Sequence, residues 1–277
     1  MLCASPTGLH RVSYLEWGDR ANPRVLLCVH GLTRSAHDFD FLARSLCRDY
    51  RVLCPDLPGR GESQWLKNAA EYVLPIYVSD MVTLIARLDV EQLDWLGTSL
   101  GGMIGMALAS LPQSPVRRLV LNDVGPLLSA QALQRIGTYV GKAPAFDSLD
   151  AAEQYVRAAS APFGPHTDAE WRLLTEHVVR ARPDGGWRMH YDPAIAVAYA
   201  SHDNGKDIDL WPLYDAIRCP TLVLRGEQSD LLTPATALDM QKRGPKARVV
   251  ELTGVGHAPT LIHADQIALV KEFLLEA

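Results

Sequence analysis

The run from Leu93 to Leu111 constrains the fold more than any other part of the chain. An apolar stretch, Leu93-Asp94-Trp95-Leu96, leads through Gly97-Thr98-Ser99-Leu100-Gly101-Gly102 into a small-residue segment, Met103 to Leu111, that Pro112 stops. An extended segment becomes a helix almost at once. The chain must reverse sharply there with Ser99 in a strained backbone conformation, and the residues two before and two after must be small enough not to collide. Gly97 and Gly101 meet that demand, while Gly102 and Gly105 let the helix lie close to the sheet. The pattern predicts a strand–turn–helix unit that presents the Ser99 hydroxyl at the strand tip. Outside such a context the same Gly and Ser string would be an ordinary turn.

The flanking sequence supplies a sheet for that unit. His10 to Trp17 reads as an N-terminal strand in a hairpin or at an edge. Arg24 to His30 is a continuous apolar strand, Tyr50 to Cys54 the next, and Arg118 to Leu121 another that ends at Asn122-Asp123. Ser35 to Arg48 and Val78 to Leu88 have helical spacing. This alternation argues for a mostly parallel, twisted sheet flanked by helices. From about Val124 to Leu213 the pattern changes to helices broken by Gly164-Pro165 and Pro183-Asp184-Gly185-Gly186, with no strong strand. Strands resume at Pro220 to Arg225 and Arg248 to Leu252, and Ala264 to Leu275 is a last helix. The 277 residues therefore divide into an α/β core, 1–123 and 214–277, and a helical insertion, 124–213, placed after the strand ending near Asp123.

Composition narrows the function classes. An apolar fraction of 48% and a charged fraction of 21% are those of a soluble globular chain. The net charge of -5 and the lack of any dense Lys/Arg run argue against a nucleic-acid surface. No apolar run reaches the ~20 residues of a membrane helix, and Met1 to Gly18 lacks the form of a signal peptide. Five cysteines without ligand-like spacing suit a reducing cytoplasm, with Cys28 and Cys54 as buried thiols and Cys3, Cys47 and Cys219 unpatterned.

A serine hydroxyl becomes a useful nucleophile only with a base in hydrogen-bond reach and an acid that fixes the base's tautomer. Among nine histidines, His257 is the best placed, in a Gly-rich loop just after a strand (Leu252-Thr253-Gly254-Val255-Gly256-His257). Asp230, also directly after a strand, is the favoured acid. Its rival is Asp123, on the same sheet edge, where a bond to backbone amides is the alternative role. Two amides must meet the developing oxyanion: that of Leu100, which opens the helix after Ser99, and that of Leu32, in the turn after His30-Gly31. His30 is expected to anchor that turn through its ring nitrogens.

In these features the chain resembles the α/β-hydrolase superfamily. The matching signatures are His30-Gly31-Leu32, Asp56-Leu57-Pro58-Gly59-Arg60-Gly61-Glu62-Ser63, Gly97-Thr98-Ser99-Leu100-Gly101, Gly226-Glu227-Gln228-Ser229-Asp230 and Gly256-His257, which span everything except the middle block. The resemblance implies the α/β-hydrolase fold with a helical cap at 124–213, and a structural loop from Asp56 to Ser63. It also implies no cofactor, a small-molecule substrate, and acyl transfer through Ser99, His257 and Asp230.

The reaction implied is hydrolysis of a carboxylic ester of small to medium, partly apolar groups. A second reading keeps the fold and changes the bond to the carbon–carbon bond of a meta-cleavage diketone acid. Relatives of that kind carry Asn before the elbow serine and a Gly-rich oxyanion loop, where this chain has Thr98 and Leu32-Thr33-Arg34. A third reading is a ligand-binding protein of the same fold with little turnover. Arg34 either binds a substrate carboxylate or pairs with Asp38 one helical turn on, and the pair is the expected arrangement. Tyr139, Phe146, Tyr155, Phe163, Trp171, Trp187 and Tyr191 should mostly form the cap core, a few facing the pocket. His166, His190 and His202 have no ligand spacing, and no metal is expected.

Overall fold

The computed structural model describes residues 1–142, 144–202 and 205–276. Fourteen strands and ten α-helices follow one another along the described chain. A hairpin of β1 (Leu2–Ser5) and β2 (Gly8–Arg11) is followed by β3 (Tyr14–Trp17), β4 (Val25–Val29), α1 (Asp40–Leu46) and β5 (Arg51–Pro55). Then come α2 (Leu74–Leu88), β6 (Leu93–Thr98), α3 (Leu100–Ala109) and β7 (Val116–Asn122). The insertion contains β8 (Leu127–Leu128), α4 (Ala130–Gly137), β9 (Ala145–Phe146), α5 (Leu149–Ala159), α6 (Asp168–Glu176), β10 (Val179–Ala181), β11 (Trp187–Met189), α7 (Ile195–His202), β12 (Ile208–Asp209) and α8 (Trp211–Ala216). The chain closes with β13 (Thr221–Gly226), α9 (Pro234–Met240), β14 (Arg248–Leu252) and α10 (Ala264–Leu275).

The main sheet has seven strands in the order β14-β13-β7-β6-β4-β5-β3. All neighbours are parallel except β3, which pairs antiparallel to β5 at the edge. Both faces are covered, which is why β4 is apolar throughout, β13 is apolar at Leu222, Val223 and Leu224, and both strands are buried at every residue. The two-residue period of the strand sorts β4 between two cores. Val25, Leu27 and Val29 face α2 and α3 with Trp95, Met81 and Leu84, whereas Leu26 and Cys28 face α1 and α10 with Phe39, Leu42 and Phe273. Since the strands run the same way, their carboxyl ends lie together on one edge, where β4, β6, β7 and β13 deliver Gly31, Ser99, Asp123 and Gly226.

Several elements differ from their sequence reading in extent. The N-terminal strand divides, β2 pairing with β1 and β3 with the main sheet. The helix read from Ser35 is a 3₁₀ turn over Ala36–Phe39 before α1. Helix α2 starts at Leu74 because Pro75 fits its first turn, where the missing amide costs nothing. The insertion is helical but also holds two small antiparallel sheets, β12-β8 and β10-β11-β9. Strands of two or three residues are too short to show alternation, so the sequence hid them. The boundary read at 213/214 falls inside α8, whose Tyr214 belongs to the core beneath the sheet.

Candidate active site

Ser99 sits between β6 and α3 with φ 51° and ψ -113°, a conformation that L-residues avoid. The two flanking glycines make it possible. A β-carbon on Gly97 would lie 2.2 Å from the Gly101 backbone, and one on Gly101 would lie 1.9 Å from the Val29 carbonyl oxygen. Helix α3 is thus pressed against β4 and β6 at contact distances only glycine tolerates. The Trp95 indole donates to the Gly101 carbonyl at 3.0 Å and fixes the helix start from below.

His257 reaches Ser99 from the loop after β14, with Nε2 3.1 Å from Ser99 Oγ. Its Nδ1 lies 2.7 Å from Oδ2 of Asp123, which is fully buried. An ionised carboxylate only accepts, so Nδ1 carries the proton and Nε2 is left to accept from Ser99. Asp123 directly follows β7 with φ 54°, and its amide donates to the Leu224 carbonyl of β13. Its carboxylate also accepts from the Gly226 amide at 2.9 Å and the Ser229 hydroxyl at 2.6 Å. Two donors besides the imidazole therefore hold the group that orients it.

Asp230, the acid favoured by the sequence, is a correction. Its carboxylate is 48% exposed and forms an ion pair with Arg135 of α4 instead. The loop leaving β13 turns so that Ser229 points inward to Asp123 and Asp230 points outward to the insertion. The rival carboxylate, Asp123, occupies the position on His257.

Leu32 and Leu100 both border the cavity above Ser99. Among the described residues neither amide has a protein acceptor. A β-carbon on Gly31 would lie 3.7 Å from that of Ser99, which puts the turn after β4 beside the hydroxyl. The Leu100 amide opens α3 and adds the positive end of the helix dipole. The turn is braced from behind. His30 Nδ1 donates to the Gly31 carbonyl at 2.7 Å while its Nε2 accepts from the Leu57 amide at 2.9 Å, and burial pushes its pKa down to about 4. Arg60, completely buried, donates from Nε to the Leu32 carbonyl at 2.8 Å. Asp56 accepts from the Ala36 and Glu62 amides. In sequence Arg60 reads as a structural loop residue, and Ser229 carries no signal of its own. The only signals for them were adjacency to a recognised loop and to the wrong aspartate.

Above Ser99 lies a cavity of about 430 Å³, within the ~300–1,000 Å³ typical of small-molecule sites. The insertion roofs it with Tyr139, Tyr155, Phe163 and Tyr191, while Phe146 and Trp187 pack in one separate cluster and Trp171 in another. Arg34 also borders the cavity. Its guanidinium grips Asp38 with Nε and Nη2, the latter at 2.6 Å, and stands over the Phe163 ring. The expected pair forms, but at the cavity wall, with both side chains largely buried. His166 bonds the Gly164 carbonyl and Thr260, and His190 lies by Arg180; the side chain of His202 lies outside the described residues. Among the described residues no helix is long and apolar enough to cross a membrane.

Residues 24–264 match the family of the alpha/beta hydrolase fold. The 3-hydroxybutyrate-oligomer hydrolase of Cupriavidus necator is 51% identical over 99% of this chain and 96% of its own. A putative hydrolase from Rickettsia typhi superposes with a TM-score of 0.91 at 36% identity, covering 96% of this chain and 92% of that one. An alpha/beta hydrolase from Novosphingobium aromaticivorans gives 0.89 at 37%, over 99% and 96%.

Proposed function

The chain belongs to the α/β-hydrolase family and is a carboxylic ester hydrolase, and on that premise we propose that it cleaves short oligoesters of hydroxy acids through Ser99, His257 and Asp123. The observation that carries this reading is the chain of contacts from Ser99 Oγ to His257 at 3.1 Å and from His257 to Asp123 at 2.7 Å, on the floor of a largely apolar cavity. Ser99 Oγ attacks the ester carbonyl carbon and His257 Nε2 takes its proton. The carbonyl oxygen becomes an oxyanion facing the Leu32 and Leu100 amides. The tetrahedral intermediate collapses, the C–O bond to the alcohol breaks, and His257 protonates the departing oxygen. Water, deprotonated by His257, then attacks the acyl-enzyme, the bond to Ser99 Oγ breaks, and His257 returns the proton to Ser99 as the acid leaves. Asp123 holds the imidazole and stabilises its cationic form.

The substrate class rests on two supports. One is the likeness to the oligomer hydrolase over almost the whole of both chains. The other is the cavity's chemistry, in which apolar walls suit a short-chain polyester backbone and Arg34 stands at one side. Arg34 Nη1 makes no hydrogen bond to a described residue, so it can donate to a terminal carboxylate while Asp38 keeps the guanidinium in place.

The test incubates purified protein with 3-hydroxybutyrate dimer and trimer, p-nitrophenyl esters of varied chain length and a meta-cleavage diketone acid. Oligomer cleavage that a serine-directed phosphonate blocks, and that Ser99→Ala lowers by several orders of magnitude without unfolding, is the expected result. Turnover retained in Ser99→Ala, preference for the diketone acid, or binding without turnover would each overturn it. Arg34→Ala should raise KM for the acid-ended oligomers and leave KM for neutral esters unchanged; an equal rise for both would remove the carboxylate contact.

A further inference from the structure

Outside the Ser99 site, the core and the insertion meet at a second cluster of side chains that the proposed chemistry does not use. The segment leaving the Leu32 turn runs through Ser35 into the 3₁₀ turn and α1, which bring His37 and Asp40 to the surface. His177, just after α6, comes down on them from the insertion. Asp40 Oδ2 lies 3.0 Å from His37 Nδ1 and 4.0 Å from His177 Nε2. One ligand atom from each of the three residues falls within 4.8 Å of the others. The two imidazoles stack with centroids 4.7 Å apart and 26° between planes. The second carboxylate oxygen, Asp40 Oδ1, is buried and has no hydrogen-bond partner among the described residues.

These distances can be set against what an ion requires. Zinc binds histidine nitrogen and carboxylate oxygen at about 2.0–2.2 Å, so tetrahedral ligands stand about 3.3 Å apart. The two contacts to Asp40 bracket that value, and rotation of the exposed His37 ring and a shift of the largely buried His177 ring would equalise them. His37 is 46% exposed, so an ion has a route in and a fourth position is open to water. Two imidazoles and one carboxylate are also the donors that first-row transition ions prefer over the oxygen-only sets of magnesium or calcium. Arg34, a nearby cation, is paired with Asp38, which offsets its field at the cluster.

We propose that His37, Asp40 and His177 form a site for a divalent transition-metal ion of the zinc type, which ties the insertion to the core beside the turn that carries Leu32. The tie reinforces one already there, since Ser35 Oγ donates to the His177 carbonyl at 3.0 Å. The role is structural, and the proposal does not depend on which ester is cleaved. Binding should be measured on the full chain after chelator treatment, by calorimetric titration with Zn²⁺, by the visible spectrum of added Co²⁺, and by thermal melting. One equivalent should bind and raise Tm. His37→Gln and Asp40→Asn should lose both effects while circular dichroism stays unchanged, and His257→Gln should keep them. No binding by the chelated wild type would overturn the proposal, as would binding that survives His37→Gln or disappears in His257→Gln.

Discussion

Replacing Asp123 by Asn is the sharpest test of the proposed site, because it exchanges one carboxylate oxygen for an NH₂ and leaves the packing in place. The Asn side chain still offers an oxygen to the Gly226 amide, now 2.9 Å from Oδ1 of Asp123. Its NH₂ then faces His257 Nδ1, where a donor meets a donor. The imidazole escapes by shifting its proton to Nε2, which leaves Nδ1 to accept and points an N–H at Ser99 Oγ. The base is lost although every heavy atom stays near its place. In serine hydrolases an inverted tautomer of this kind costs about 10⁴-fold in kcat, or about 5.4 kcal/mol of transition-state stabilisation. The matched control is Asp230→Asn. It removes only an ion pair whose partners are 39% and 48% exposed, an interaction typically worth about 0–1 kcal/mol, so kcat should change by no more than a few-fold. Both variants should be assayed for kcat and KM on one p-nitrophenyl ester, with circular dichroism as a check on folding. If Asp230→Asn loses as much as Asp123→Asn, or if Asp123→Asn keeps wild-type kcat, the reasoning is wrong.

Two further perturbations probe the frame around Ser99. Gly101→Ala puts a β-carbon 1.9 Å from the Val29 carbonyl oxygen, a backbone clash that α3 can relieve only by moving off β4. A loss of about 1–3 kcal/mol in urea unfolding is expected, and unchanged stability would show that the elbow is looser than described. Acid should unfold the protein partly through His30, whose folded pKa is pushed down to about 4 from 6.5 by burial. Because the unfolded chain binds this proton first, its contribution is complete above pH 6.5 and is lost as pH falls toward 4, by about 3 kcal/mol in all. Stability measured across that window in wild type and His30→Asn should show a shallower pH slope in the variant, and parallel slopes would refute the assignment.

Much of the site was legible because its parts are backbone demands written in residue type. Gly97 and Gly101 around Ser99, and Gly256 before His257, mark places where a strand end must turn. The proposed acid was not legible for a physical reason. Asp123 and Asp230 both follow buried strands that end on the same sheet edge, and both keep the chain order Ser–Asp–His. What separates them is direction, and direction depends on pairing. The Asp123 amide is held by the Leu224 carbonyl of the neighbouring strand, with φ at 54°, and that aims the carboxylate at His257. No local pattern records that β7 and β13 are neighbours. The contact between His37, Asp40 and His177 was equally hidden, since it joins residues of the core to one of the insertion.

Backbone contacts of the insertion also reach the loops of the proposed site. A lid laid over a finished site would touch its rim alone. Here the amide of Gly256, next to His257, donates to the Pro162 carbonyl at 2.6 Å, so the insertion supplies a backbone anchor for the loop that carries the proposed base. On another side the Asp192 amide donates to the Gly59 carbonyl at 2.7 Å, and the Asp192 carboxylate accepts from Tyr72, close to the Arg60 that braces Leu32. Arg135 to Asp230 adds a link to the loop that holds Ser229. The segment that shapes the cavity thus shares hydrogen bonds with the loops that carry His257, brace the Leu32 turn and hold Asp123. Substitutions that repack 124–213 for a new substrate should therefore alter kcat as well as KM, because they move the groups that position Ser99's partners along with the cavity wall.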